Sequence, residues 1–376
     1  MFYILNYQYS PNTAVANRLL AYYKALDLLG IEANIVYIHP NNSYSKIKDK
    51  YSKLKVTYLW NRFLPYRGCL RKLTYSLYVK RFLSKLKPGD VVYTYSIGAL
   101  TRACLSVHGV KVYAERTEHP QASSGFSSPV DVINKEEYLD TLKRLSGLFV
   151  ISEPLKKYYG QLGLDKSKIE IINMIVDSSR FENVEKAQCI DRYIAYCGTA
   201  FNNKDGVDEL IKAFAIVTKQ ISDVKLYIIG KTPSKEQLFG NLELVKNLGI
   251  EDKVVFTGIV KAKDMPLFLK NAEILALDRP DNLQAKYGFP TKLGEYLLTK
   301  NPVVVTSVGD IPKFLKDGES ALIAKPSNAD DFASKLIWLL MHKEEGIRIG
   351  CAGYRVALEH FDYFTETKKI VDFMNL

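Results

Sequence analysis

Short apolar runs alternate with amphipathic stretches along most of this chain, and the alternation is played out twice. In the first half, residues 2–5, 34–38, 91–95, 110–114, 148–151 and 169–172 read as buried strands. Residues 14–29 carry apolar positions at helical spacing and stop at Gly30, and residues 131–145 form another helical stretch. The second half restarts the pattern with strands at 193–197, 225–229, 254–257, 273–277, 303–306 and 321–324. Helices begin between them near Val207, Lys235, Lys263, Thr291 and Asp330. Continuous apolar strands separated by helices make parallel sheets covered on both faces, so the expected class is α/β.

Two Rossmann-like domains follow, residues 1–180 and 190–358, joined by the polar stretch from Ser178 to Asp191. A closing segment, 359–376, is expected to pack back on the first domain. A length of 376 residues also favours two domains, because single cores stop growing at about 250–300 residues. The hydrophobic fraction of 47% and charged fraction of 25% are those of a folded chain. The N-terminus enters as an apolar strand without a basic leader, and no apolar run reaches the roughly 18 residues of a membrane span. Cys69, Cys104, Cys189, Cys197 and Cys351 are scattered without a Cys-x-x-Cys pair, which points to a reducing cytoplasm without disulfides or a zinc site.

Charge changes the picture in one place. The formal net charge is +11, and residues 46–87 hold 13 Lys and Arg against the single acid Asp49. Outside that stretch acids and bases nearly balance. Aromatic residues are interleaved with the charge, and Lys53, Lys55, Trp60, Arg62, Arg67, Arg71 and Lys72 make a surface suited to an anionic bilayer. The competing reading is a solvated helical face whose aromatics enter the core. No DNA- or RNA-binding motif accompanies the charge, so no nucleic-acid partner is expected.

The chain has neither Gly-x-Gly-x-x-Gly nor a Walker lysine, which removes support for NAD or ATP binding. It also lacks Asp-x-Asp, so no metal clamp and no cofactor are expected; phosphate charge is left to cations and helix N-termini. Two segments supply these. In Tyr287-Gly288-Phe289-Pro290-Thr291-Lys292-Leu293-Gly294-Glu295, a glycine loop runs into a proline-started helix whose first N–H groups suit a phosphate. Glu295, one turn in, is placed to accept from ribose hydroxyls. In Tyr196-Cys197-Gly198-Thr199 through Lys204-Asp205-Gly206, a strand leads into a glycine loop with a lysine able to reach a diphosphate. Alone, the first reads equally as an ordinary loop–helix junction, and the lysine of the second reads more readily as a solvated loop residue. Together they lie at the C-terminal ends of parallel strands, where such sheets bind ligands.

These segments resemble family 4 of the glycosyltransferases, which have the two-domain GT-B fold with sheets facing a central cleft. The resemblance rests on Gly198 with residues 204–214, on Val255-Phe256-Thr257-Gly258, on residues 288–296, on Asn301-Pro302-Val303-Val304-Val305-Thr306 and on Asp317-Gly318. It is weaker in the first half, at Glu115-Arg116-Thr117-Glu118-His119-Pro120 and Ile151-Ser152. It implies a retaining, metal-independent hexosyl or N-acetylhexosaminyl transfer from a nucleotide-diphosphate sugar, which is a co-substrate. The acceptor would be a glycan or lipid-linked, and the setting surface polysaccharide assembly by a cytoplasmic protein at the inner face of the plasma membrane. The implied donor site comprises Gly198, Thr199, Lys204, Gly258, Ile259, Val260, Tyr287, Gly288, Phe289, Pro290, Thr291, Lys292 and Glu295, with backbone N–H groups of Gly288 and Phe289 available.

Lys204 would stabilise the leaving phosphate, with His119 and Glu118 as the other catalytic candidates and Glu115 in competition with them. Pro11, Asn12 and Thr13 would flank the acceptor. The chain departs from the family twice. Thr199 stands where an arginine is usual, with Lys292, Lys231 and Arg116 as unranked substitutes, and Tyr287 replaces the first of two glutamates. These departures motivate an alternative, a catalytically silent nucleotide-sugar-binding or scaffold protein.

Overall fold

The computed structural model describes residues 1–6, 13–38, 51–59, 70–123, 135–187 and 191–376. It divides the chain into two compact units, Met1–Asn173 with Tyr363–Leu376, and Met174–Asp362. Both are parallel sheets with helices. Among the described residues no helix is long and apolar enough to cross a membrane.

The first unit holds β1 (Phe2–Asn6), β2 (Ala33–Tyr37), β3 (Leu54–Tyr58), β4 (Val91–Thr94), β5 (Lys111–Arg116), β6 (Gly147–Val150) and β7 (Ile169–Ile171). Their order is β3-β2-β1-β4-β5-β6-β7, so β1 is interior, with Phe2 in register with Ala33 on one side and Val91 on the other. β3 falls within the basic stretch and was not among the expected strands. Among the described residues it pairs only with β2 and leaves Lys55 exposed, and a lysine on an edge strand discourages pairing with a further chain. Lys53 precedes it, its backbone N–H donating to Asp27 at 2.7 Å.

Helix Leu70–Leu83 follows in the same stretch, burying Tyr78, Val79 and Phe82 and exposing Leu77, Lys80 and Arg81. Part of the aromatic content thus belongs to the core. Trp60, Arg62 and Arg67 lie outside the described residues, as do the side chains of Arg71 and Lys72.

The last helix, Tyr363–Met374, belongs to this first unit although it comes at the end of the chain. Phe373 meets Tyr113 and Phe149 edge-on, with ring centroids 6.2 and 5.5 Å apart. Buried Glu366 accepts the Asn173 backbone N–H at 2.7 Å. Gly147 faces Phe373 with no room for a Cβ, which would come within 2.5 Å of its ring.

The second unit holds β8 (Arg192–Cys197), β9 (Val224–Ile229), β10 (Val254–Gly258), β11 (Ile274–Leu277), β12 (Val303–Thr306) and β13 (Leu322–Ala324). Their order is β10-β9-β8-β11-β12-β13. The sequence turns back at β8, so the crevice rule for open sheets points to the C-terminal ends of β8 and β11. Residues expected at the end of the first domain fall here instead, and the boundary lies at Asn173/Met174 rather than 180. The cause is local: Val176 bridges to Asp362 and Arg180 pairs with Glu295.

Candidate active site

Three adjacent strands of the second unit end in glycine. Gly198 after β8, Gly230 after β9 and Gly258 closing β10 have φ of 149°, 126° and 66°, a region costly for residues with a Cβ. The Gly198 N–H donates to Ile229 O at 2.8 Å and the Gly230 N–H to Gly258 O at 2.9 Å. A Cβ on Gly230 would overlap the Gly198 carbonyl oxygen. Gly230 escaped the sequence reading, although a glycine directly after the apolar run of β9 was a usable signal. Gly206 separates the one-turn helix Asn202–Asp205 from helix Val207–Thr218 in left-handed conformation, and a Cβ there would overlap the carbonyl oxygen of Asp278. The loop is thereby pressed onto the end of β11.

Helix Thr291–Leu298 begins with Pro290 at its N-cap, and among the described residues no side-chain cap is made to its first-turn N–H groups, those of Thr291 and Lys292 included. The helix is fixed to β8 by the Tyr296 hydroxyl, which accepts the Cys197 N–H at 2.6 Å. The Lys292 ammonium lies 2.5 Å from Asp205 Oδ2 and donates to the Tyr196 hydroxyl at 2.9 Å, 4.6 Å from the centre of that ring. The Tyr196 hydroxyl lies 2.7 Å from the Thr199 carbonyl and 2.8 Å from Asp205 Oδ2. A Cβ on Gly198 would sit only 2.6 Å from Lys292 Nζ, so this glycine makes room for the ammonium. Burial lowers the Lys292 pKa against the pull of Asp205. Burial also opposes ionisation of Asp205, but Lys292 and Arg279 hold its carboxyl below the usual range.

Glu295, three residues along the same helix, forms an ion pair with Arg180, and both side chains are partly exposed. Tyr287 ends the short helix Leu283–Tyr287, with Lys286 Nζ 5.9 Å from its ring centre. The Gly288 N–H is not available to a ligand, because it donates to Gln284 O at 2.9 Å. The Phe289 side chain is core, packed on Phe314 and Phe361. Gly258 and Ile259 are exposed, Ile259 by 81%, and Val260 is half-buried. Lys204 is half-buried, and its carbonyl lies 3.4 Å from Arg279 Nε.

Among the candidate substitutes for the missing arginine, Lys292 has its ammonium against Gly198. Lys231 meets the loop through its backbone carbonyl, which accepts from Ala200 N–H at 2.9 Å, and its side chain is exposed. Arg116 belongs to the first unit. Sequence reasoning also missed Tyr196, Asp205, Arg180 and Asp278. Asp278, at the end of β11, is 1% exposed, and its carboxyl is pushed up to about 7 by burial first and then by the charges of Glu209 and Asp208.

In the first unit, His119 is buried, its Nδ1 accepting the Gln121 N–H at 3.3 Å and its ring 4.3 Å from that of Tyr158. Burial and the Arg116 charge lower its pKa, which favours a neutral ring with the proton on Nε2. Glu118 is half-buried. Glu115 is not a free base: it is fully buried, accepting from Arg18 Nε at 2.6 Å and from the hydroxyls of Tyr22 and Tyr93. Thr13 caps helix Ala14–Leu28 through Oγ1, which accepts the Ala16 N–H at 3.2 Å, while Pro11 and Asn12 lie outside the described residues.

Residues 191–342 match the family model described as Glycosyl transferases group 1. Over 276 residues the chain is 24% identical to mannosylfructose-phosphate synthase of Agrobacterium fabrum, covering 68% of this chain and 59% of that protein. It is also 24% identical to the GDP-mannose-dependent alpha-(1-6)-phosphatidylinositol monomannoside mannosyltransferase of Mycolicibacterium smegmatis, over 49% of this chain and 48% of the relative. The chain thus spans about half the length of these curated relatives. The crystal structure of Anabaena HepE in complex with UDP-glucose superimposes with a TM-score of 0.75 at 15% identity, covering 100% of this chain and 99% of that one. The chain therefore has the GT-B fold, and what its second unit shares with the glycosyl transferases group 1 model is the stretch 191–342.

Proposed function

We propose that this protein is a retaining glycosyltransferase that moves a sugar from a nucleotide-diphosphate donor, bound by the second unit, to a glycan or lipid-linked acceptor. The observation that carries this reading is the convergence of the Gly198 loop, the uncovered start of helix Thr291–Leu298 and the Lys292 ammonium at one end of the sheet. In the reaction the bond from the anomeric carbon to the diphosphate oxygen breaks, and its electron pair leaves with the phosphate. Lys204 and the Thr291 and Lys292 N–H groups stabilise those oxygens. The acceptor hydroxyl attacks from the same face and gives its proton to the leaving phosphate, so no metal and no further base is required. His119 and Glu118 are assigned to the donor-sugar side, Glu295 to the ribose, and Tyr287 offers a neutral hydroxyl where the family pattern the sequence resembles has a glutamate.

A thermal-shift screen against nucleoside diphosphates and their sugars identifies the donor, since a ligand bound only by the folded state raises the midpoint. With that donor, Lys204→Ala and Glu295→Ala are each expected to lower transfer or donor hydrolysis by about 100-fold. Undiminished turnover in both variants would discard these assignments. Donor binding with no turnover in the unaltered protein would favour the silent, scaffold reading.

The lipid-linked acceptor draws support from the phosphatidylinositol mannoside named for one relative, and from Leu77, Lys80 and Arg81 exposed together on helix Leu70–Leu83. It sets the protein at the cytoplasmic membrane face in surface polysaccharide assembly. Flotation with vesicles containing anionic phospholipid is expected to carry the protein upward at low salt and to release it at high salt. Failure to float at low salt would sink the membrane assignment.

A further inference from the structure

Thr199 leaves the loop after β8 one positive charge short of the family pattern it resembles, and the structure offers a cation from another part of the chain. We propose that Lys292 is the second cation of the donor site, touching the diphosphate with its own ammonium, and that Asp205 and Tyr196 are positioning residues that aim it. This rests on the reading of the second unit as the nucleotide-sugar site.

An ammonium has three N–H donors. Asp205 takes one at 2.5 Å and the Tyr196 hydroxyl another at 2.9 Å, which among the described residues leaves the third for a ligand. The Lys292 side chain is 17% exposed and Asp205 only 3%, so an anion arriving from solvent meets the cation and not the carboxylate beneath it. The same residue offers its uncovered backbone N–H at the helix start, so one phosphate can use both. Gly198 completes the fit, since any Cβ there would crowd the ammonium. The network also reaches the position of the missing arginine. The Tyr196 hydroxyl joins the Thr199 carbonyl to Lys292, so the replacement charge lies one hydroxyl away from that residue.

A buried lysine with a single carboxylate partner could equally be a structural ion pair, and the two roles separate in binding measurements. Titration calorimetry with UDP and GDP, and with uridine and guanosine, compares the unaltered protein with Lys292→Met, Lys292→Arg and Asp205→Asn. Lys292→Met is expected to weaken nucleoside diphosphate binding about 10- to 100-fold while leaving nucleoside binding unchanged. Lys292→Arg restores most of that loss. Asp205→Asn keeps the charge but loosens its aim, so it weakens diphosphate binding less than Lys292→Met and again spares the nucleoside. If methionine prevents folding, Lys292→Gln takes its place. Equal effects on diphosphate and nucleoside, or none on either, would assign Lys292 to the framework and overturn the inference alone. An unaltered protein that binds neither nucleoside diphosphate overturns both this inference and the donor-site reading.

Discussion

Glu115→Ala is expected to destabilise the first unit by about 3–5 kcal/mol, the cost of leaving a buried charge without its partner. Arg18 is 3% exposed and Glu115 is fully buried, so neither is screened by water. The Arg18 guanidinium donates to the Ile172 and Asn173 carbonyls at 2.9 and 2.7 Å, which would persist in the variant. Those carbonyls satisfy donors but do not cancel the charge. Burial works against the protonated arginine, and Glu115 keeps its pKa raised all the same. Removing the carboxylate also strips the Tyr22 and Tyr93 hydroxyls of an acceptor. Urea denaturation of the full chain reads the loss, and a change below about 1 kcal/mol would refute it. The double variant Arg18→Met with Glu115→Leu should recover a large part, because an apolar pair of similar volume needs no compensation.

Asp278 sets a pH dependence in the second unit. Its folded pKa is about 7, against about 3.9 for an exposed aspartate. Between these values the folded protein holds a proton that the unfolded chain has released. Stability therefore falls as pH rises from about 4 to 7 and levels off above that. Asp278→Asn removes this contribution and should be the more stable protein above pH 7, by on the order of 2–4 kcal/mol. Parallel stability profiles of the two proteins from pH 5 to 8 would count against the assignment. The position matters for the site because the Asp278 carbonyl fills the space beside Gly206, so ionisation acts directly behind the loop that carries Lys204 and Asp205.

Most strands were legible because those covered on both faces must be continuously apolar, as in Val303-Val304-Val305. β3 was not, since an edge strand needs no such run and Lys55 disguises it. Of the site, Gly198, Gly206, Lys292 and Glu295 stood out as local signals: glycines after strands and charges at a helix start. Tyr196, Asp205 and Arg180 did not. Their roles arise from partners far away in sequence, Tyr196 and Asp205 at Lys292 and Arg180 at Glu295, and no spacing rule connects such positions. Asp205 in particular reads as a solvated loop acid until the fold buries it. The ranking of Lys292 over Lys231 needed the same information.

The last helix has a consequence for how the molecule comes into being on the ribosome. Domains ordinarily fold in the order they are synthesised. Here the first unit lacks Phe373 and Glu366 until residues 363–376 have emerged, and those follow the whole of the second unit. The second unit is uninterrupted and has all its parts earlier. The amino-terminal half is thus the last to be completed, and during translation the Tyr113 and Phe149 rings await their cover.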